Sequence, residues 1–353
     1  MEKFAFIFHP LSIQDMAHVC PAFRYVPDSW LEGLMKLKRP YRVSHITGLH
    51  SDLAEAEGWF VGIPLTARQF VNLPEEFVLQ RIIQAGRVAE ATGAKIVGLG
   101  AFSSIVGDGG QSVAEKLHIA VTSGNSYTVF SALEAVGKAV ELMGKKLEDC
   151  HAVVVGASGS IGSAAARILA RQVPRLTLVA RHREPLESLA QEFCSLTKVA
   201  VSDKIREVLH EADIVLTVTS ALDFLIEPEY LKPGSVVCDV ARPRNVAEHV
   251  ARQRQDVLVI EGGVISLPSA VHFGFNFGFP PNTSYACMAE TMILALSGRY
   301  ENFSLGRNLD VQKVLEIGEL ARKHGFKLAG FRNFDRLITA EEIAGIRYRS
   351  GII

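Results

Sequence analysis

Apolar residues in this chain fall into two patterns: short unbroken runs, which read as buried strands, and longer stretches with helical spacing. Phe4 to Phe8 reads as a strand. Glu75 to Thr92 reads as a helix, with Phe77, Ile82, Ile83 and Val88 on its apolar face and Gly93 closing it. Lys95 to Gly100 reads as a strand that ends in the polar loop Phe102-Ser103-Ser104. A second such loop, Val121 to Ser126, precedes a long helix from Tyr127 to Met143. Further strands are predicted at Val153 to Val155, Leu176 to Ala180, Asp213 to Val218, Ser235 to Val240 and Val257 to Ile260. Helices are predicted from Pro185 to Cys194, Tyr285 to Leu296 and Val311 to His324; the stretch after Phe326 is polar and mixed. Strands alternating with helices imply an α/β fold with a parallel sheet, whose ligands bind beyond the carboxyl ends of the strands.

The run from Val153 to Ser163 gives that sheet a ligand. An apolar strand breaks at Gly156 and restarts at Ile161 as an Ala-rich helix. Gly156 suits a tight turn, Gly159 lets backbone approach a pyrophosphate, and Gly162 lets helix and strand lie close. Phosphates would meet the amides of Ser158, Gly159, Ser160 and Ile161 at a helix N-terminus, where the dipole favours anions. The expected organisation is an N-terminal α/β substrate-binding domain over residues 1–126 and a Rossmann-type doubly wound sheet over 127–282. A C-terminal helical segment over 283–353 completes it.

Composition narrows the partners. With 353 residues, a net charge of −1 and a pI near 6.8, nothing draws the chain globally to nucleic acid. No apolar run reaches membrane-spanning length and the N-terminus does not read as a signal peptide; peripheral membrane contact stays open. Five scattered cysteines without metal-ligand spacing suit free thiols in a cytoplasmic protein and predict no metal site. A short basic run, Lys36, Lys38, Arg39 and Arg42, is either a docking site for an acidic partner or a solvated face.

The second dinucleotide-domain strand ends in Ala180-Arg181-His182-Arg183, where an NAD-selective fold usually carries an acidic residue. Arg181 and Arg183 suit a ribose 2′-phosphate, which predicts NADPH as the cofactor. Thr219, Ser220, Asp239, Val240, Gly262 and Gly263 end successive strands and are expected to edge the nicotinamide pocket. Asp239 has the alternative of capping locally or pairing with Arg242 or Arg244.

Cys287 lies where a Pro-rich loop becomes a helix, with Asn282, Thr283 or Ser284 available to cap it. A thiol in the first helical turn feels the positive dipole end and becomes nucleophilic. A buried, inert cysteine is the competing reading. Cys20 lies in the expected substrate domain, and His9 ends the first strand as a candidate proton donor.

Several strings here, in order, resemble the long-chain acyl-[acyl-carrier-protein] reductases of cyanobacteria. They are Gly100-Ala101-Phe102-Ser103-Ser104-Ile105-Val106, Thr122-Ser123-Gly124-Asn125-Ser126-Tyr127-Thr128, the glycine loop, and Ala180-Arg181. Gly262-Gly263, Tyr285-Ala286-Cys287-Met288-Ala289-Glu290, Asn302-Phe303-Ser304-Leu305-Gly306-Arg307-Asn308 and Lys323-His324-Gly325-Phe326 continue the series. The resemblance implies NADPH-dependent reduction of an acyl thioester to an aldehyde, with Cys287 as the catalytic cysteine. The C-terminal stretch beyond Phe326 and the loops around residues 107–110 and 273–281 depart from that pattern, which places the chain on a divergent branch.

The expected chemistry is attack of the Cys287 thiolate on a fatty acyl-carrier-protein or acyl-CoA thioester, followed by hydride transfer to the acyl carbon. Ser126 and Tyr285 are candidate hydroxyl donors to the oxyanion. Two other readings fit the same domain order: a shikimate- or amino-acid-type NADP dehydrogenase, and a non-catalytic NADP-binding sensor. Neither requires Cys287.

Overall fold

The computed structural model describes residues 1–13, 26–221, 225–275, 280–334 and 336–352. The chain divides into two compact units. The first comprises residues 1–125, 266–307 and 319–327; the second comprises 126–265, 308–318 and 328–353. This interleaving differs from the linear three-part division expected above. The helix bearing Cys287 packs inside the first unit instead of forming a segment of its own.

The first unit is built on a five-stranded sheet: β1 (Glu2–Phe8), β2 (Tyr41–His50), β3 (Glu55–Gly62), β4 (Ile96–Leu99) and β5 (Ala120–Thr122). Its order is β2-β3-β1-β4-β5. β3, β1, β4 and β5 run parallel, and β2 pairs antiparallel with β3 along the edge. One face packs on the helix Glu75–Ala91, whose Val78, Ile82 and Ala85 are fully buried with Ala5, Ile7 and Val97. The helix Ala286–Leu296 lies against β1, β3 and β4. It comes in close because β4 carries Gly98: a Cβ there would overlap the Thr291 hydroxyl and lie 2.6 Å from Phe6 Cδ2.

The second unit holds a six-stranded parallel sheet: β6 (His151–Val155), β7 (Arg175–Val179), β8 (Lys198–Ser202), β9 (Ile214–Thr217), β10 (Val236–Asp239) and β11 (Leu258–Glu261). Its order, β11-β10-β9-β6-β7-β8, reverses direction at β6, the doubly wound arrangement of dinucleotide-binding sheets. β6, β9, β10 and most of β7 are buried throughout, so they read as continuous Val, Ile and Leu runs without alternation. Ala and Val side chains of the helices Asn125–Leu142 and Ser160–Leu169 fill one face.

The stretch after Phe326, which has no clear sequence periodicity, folds onto the second unit. Its helix Ala340–Arg349 starts with a capping box between Thr339 and Glu342. Ile338 and Ile343 enter the sheet's core.

Candidate functional site

At the carboxyl end of β6 the chain turns through Gly156 (φ +92°), whose amide donates to the Val179 carbonyl at 2.8 Å. The helix Ser160–Leu169 begins at Gly159 with no side chain capping it. A helix start of this kind, with its amides and the positive end of its dipole turned outward, favours an anion. The glycines differ in what they permit. A Cβ on Gly162 would overlap the Gly156 carbonyl oxygen and lie 2.9 Å from Ala157 Cα, so this position seals helix to strand. A Cβ on Gly159 would meet only the Gly156 oxygen, at 3.4 Å, and otherwise fill open space where a ligand can approach. Ser158 is exposed, and Ser160 and Ile161 are half-buried. These residues fit a dinucleotide pyrophosphate.

Arg181 and Arg183 follow β7 and are both exposed. Arg183 reaches Glu187 and Asp203 only at 3.8 Å, and among the described residues Arg181 makes no ion pair. Both guanidiniums are thus available to a phosphate.

Thr219 and Ser220 follow β9, Asp239 ends β10 with Val240 just beyond it, and Gly262 and Gly263 follow β11, all along the carboxyl edge of the same sheet. The Asp239 carboxylate serves the local turn: it accepts the amides of Ala241, Asn245 and Val246 at 2.8–3.0 Å. Burial pushes its carboxyl up to about 6 against the pull of those amides and of Arg242. Arg242 and Arg244 pair instead with Glu261, at 3.6 and 2.7 Å. Gly262 is a packing glycine, since a Cβ there would lie 2.7 Å from Val240 Cγ2 and 2.9 Å from Cys238 Sγ.

Asn245, which sequence reasoning missed, is fully buried at this edge. Its Oδ1 accepts the hydroxyls of Thr217 and Thr219 and the amide of Thr219, fixing the end of β9. Only the proximity of the Arg242-Pro243-Arg244 loop hinted at it.

In the first unit, Cys287 is the second residue of the helix Ala286–Leu296 and is half-buried. Asn282, Thr283 and Ser284 do not cap this helix. The N-cap is Tyr285, no side chain caps the first turn, and the Thr283 hydroxyl donates to Pro280 O while that of Ser284 donates to Tyr285 O. The short strand Thr283–Tyr285 runs directly into the helix, so the chain enters it at Tyr285. The other described cysteines all lie in the second unit. Burial and the nearby Asp213 push the Cys150 thiol up to about 11, burial pushes that of Cys238 well above the ordinary range, and Cys194 is exposed beside the dinucleotide sheet's helix. Cys20 lies outside the described residues.

Ser126 is fully buried at the start of the helix Asn125–Leu142, and Tyr285 is half-buried. His9 serves structure: the Phe102 amide donates to its Nε2 at 3.1 Å, its Nδ1 faces Pro10 O at 3.0 Å, and its ring stacks on Phe70. The hydroxyls of Ser103 and Ser104 donate to Gly100 O and Ala101 O, closing the turn after β4. Among the described residues no cluster of His, Cys, Asp and Glu could hold a metal, and no helix is long and apolar enough to cross a membrane.

Residues 138–261 match the family model described as shikimate / quinate 5-dehydrogenase, which covers the dinucleotide sheet. The chain is 33% identical to Aminotransferase PigE of a Serratia species over 98% of its own length, but spans only 42% of that protein. It is 30% identical to the glutamyl-tRNA reductase of Haloquadratum walsbyi over 51% of this chain and 39% of that one. Against the long-chain acyl-[acyl-carrier-protein] reductase of Synechococcus elongatus it is 30% identical over 77% of this chain and 81% of the reductase. The dehydrogenase and reductase matches imply an oxidoreductase with a nicotinamide cofactor. The wide match with the Synechococcus protein places this chain in the family of the long-chain acyl-[acyl-carrier-protein] reductase.

Proposed function

We propose that the protein reduces an acyl thioester, of an acyl-carrier protein or of CoA, to an aldehyde through an acyl-enzyme on Cys287, with NADPH as reductant. The observation that carries this is Cys287 itself: a half-buried thiol in the first turn of a helix that no side chain caps. The positive end of that helix favours the thiolate.

In the proposed reaction the Cys287 thiolate attacks the thioester carbonyl carbon. A new C–S bond forms, the carbon–carrier bond breaks, and the leaving thiolate takes up the proton that Cys287 released. Bound reduced nicotinamide supplies the hydride. The hemithioacetal that remains on Cys287 then breaks its C–S bond, giving an aldehyde and regenerating the thiolate. Backbone amides of the first helical turn, with Tyr285 and Ser126, are the proposed donors to the oxyanion. Gly156, Ser158, Gly159, Ser160, Ile161 and Gly162 would hold the cofactor's pyrophosphate, and Arg181 and Arg183 its 2′-phosphate. Thr219, Ser220, Asp239, Val240, Gly262 and Gly263 would shape the pocket for its ring. The match to part of an aminotransferase supports an aldehyde product, because carbonyl compounds are what aminotransferases aminate.

The test is to add an acyl thioester without NADPH and map adducts by mass spectrometry. An acyl group on Cys287, and loss of aldehyde formation in Cys287→Ala, are expected. Adduct formation elsewhere, or aldehyde formed by Cys287→Ala, refutes the proposal. The match of residues 138–261 to shikimate / quinate 5-dehydrogenase supports a second reading, an alcohol dehydrogenase. It predicts oxidation of a hydroxy acid with full activity in Cys287→Ser.

A further inference from the structure

Three of the strings singled out in the sequence belong together in the fold: Thr122-Ser123-Gly124-Asn125, Cys287 to Glu290, and Asn302-Phe303-Ser304. The fold brings all three to one buried carboxylate. Glu290, one turn beyond Cys287 and fully buried, accepts the hydroxyl of Thr122 in a short hydrogen bond and that of Ser304 at 2.7 Å on the same oxygen, Oε1. A buried carboxylate demands such donors, since a charge stripped of both water and hydrogen-bond partners is strongly disfavoured.

The consequence reaches Cys287 through Thr122. With its proton committed to Glu290, Thr122 Oγ1 accepts the Gly124 amide at 3.3 Å. Gly124 (φ +76°) lies flat against the nucleophile: a Cβ there would overlap Cα and Cβ of Cys287 and lie 2.6 Å from its carbonyl oxygen. The turn is tied down a second time. The Ser123 hydroxyl donates to the Ser304 carbonyl, and the Asn125 amide donates to Ser123 Oγ at 3.4 Å. Ser304 itself sits at φ +54°, a conformation a non-glycine residue keeps only when its surroundings impose it. Its hydroxyl on Glu290 and its carbonyl on Ser123 supply that constraint. The Phe303 amide, bonded to Val121 O at 2.9 Å, completes the seam.

We infer that Glu290 is a positioning residue, which clamps the Thr122–Asn125 turn onto the first turn of the helix and so fixes the placement of the Cys287 thiol. It acts through Thr122 and Ser304. The inference rests on the reading of Cys287 as the nucleophile.

The experiment is competitive alkylation of the folded full chain with iodoacetamide, read by peptide mass spectrometry as the rate at Cys287 relative to the exposed Cys194. Glu290→Ala is expected to change that ratio by about tenfold or more, because small displacements of a placed group have large rate effects. Glu290→Gln keeps a carbonyl oxygen for both hydroxyls and is expected to stay close to wild type. Thr122→Val, which removes one hydroxyl while keeping side-chain shape, should shift the ratio in the same direction as Glu290→Ala and stands in if the alanine variant does not fold. A folded Glu290→Ala or Thr122→Val protein with an unchanged ratio overturns the inference. So does a Glu290→Gln protein as altered as Glu290→Ala. The ratio does not depend on turnover, so aldehyde formation by Cys287→Ala would sink the proposed function while leaving this measurement to be judged separately.

Discussion

Gly162 faces Gly156 so closely that a Cβ at position 162 would overlap the Gly156 carbonyl oxygen and lie 2.8 Å from its carbonyl carbon. Gly159 has no such neighbour and sits in an ordinary conformation, φ −80°. The two glycines therefore do different work. Gly162→Ala is expected to lower both thermal stability and NADPH affinity, the affinity by about tenfold or about 1.4 kcal/mol. Gly159→Ala is expected to leave the melting temperature close to wild type while weakening NADPH comparably. Thermal unfolding with and without cofactor checks both; equal destabilisation by the two substitutions in the absence of cofactor would contradict this division.

The exposed guanidiniums of Arg181 and Arg183 lead to a prediction about cofactor choice. Charge-assisted bonds from arginine contribute to phosphate recognition and not to a bare ribose hydroxyl. The double variant Arg181→Ala/Arg183→Ala should therefore lose at least about tenfold in NADPH affinity, roughly one bond to a charged group, and change little toward NADH. Titration of nicotinamide fluorescence separates the two. Equal losses for both cofactors would remove the 2′-phosphate assignment.

What the sequence disclosed, and what it hid, follows from how local each constraint is. The glycine loop was readable because a turn, a close approach and a helix start each need a residue type within eight positions of chain. The buried parallel strands were readable as unbroken Val, Ile and Leu runs. The strand Tyr41–His50 was not, since it lies on a sheet edge, is buried only at Ile46 and Leu49, and is interrupted by irregular register with β3. The placement of Cys287 in a helix's first turn was legible, but its cap was not, because three polar residues precede a helix whose N-cap is Tyr285. Glu290 and Asn245 stayed hidden for a stronger reason. Glu290 meets a hydroxyl 168 residues away, and Asn245 meets two hydroxyls 28 and 26 residues away. Nothing in local pattern announces such pairings.

Asp213 gives the stability a pH dependence. Burial opposes its ionisation, but the His151 amide and the ammoniums of Lys145 and Lys232, at 2.8 and 2.7 Å, outweigh that and hold the carboxyl at about 2, below its ordinary 3.8. A carboxyl with a lowered folded-state pKa stabilises the fold above its unfolded pKa, and that contribution disappears as pH falls from about 4 to about 2. Its full size is about 2 kcal/mol. Asp213→Asn should cost about that much at pH 7 and flatten the acid limb of the stability curve in this window. Urea unfolding at a series of pH values measures it. A variant whose acid limb is as steep as wild type would show that other carboxylates set it.

Gly124 provides the last prediction, because its left-handed conformation and its contact with Cys287 act together. Any side chain at this position pays for φ +76° and also drives into the backbone of the helical turn that carries Cys287. Alanine at a positive φ costs about 1 kcal/mol even in open space. Here the added methyl has to push the helix or the turn aside. Gly124→Ala should therefore lower the melting temperature and reduce acyl-adduct formation on Cys287 together. Gly93→Ala, at φ +81° with only the Lys3 side chain near, at 3.9 Å, should pay the conformational cost alone and keep acylation intact. Comparing the two variants for melting temperature and for adduct yield separates backbone strain from displacement of the thiol. Equal adduct yields in both would mean that the turn can move without disturbing Cys287.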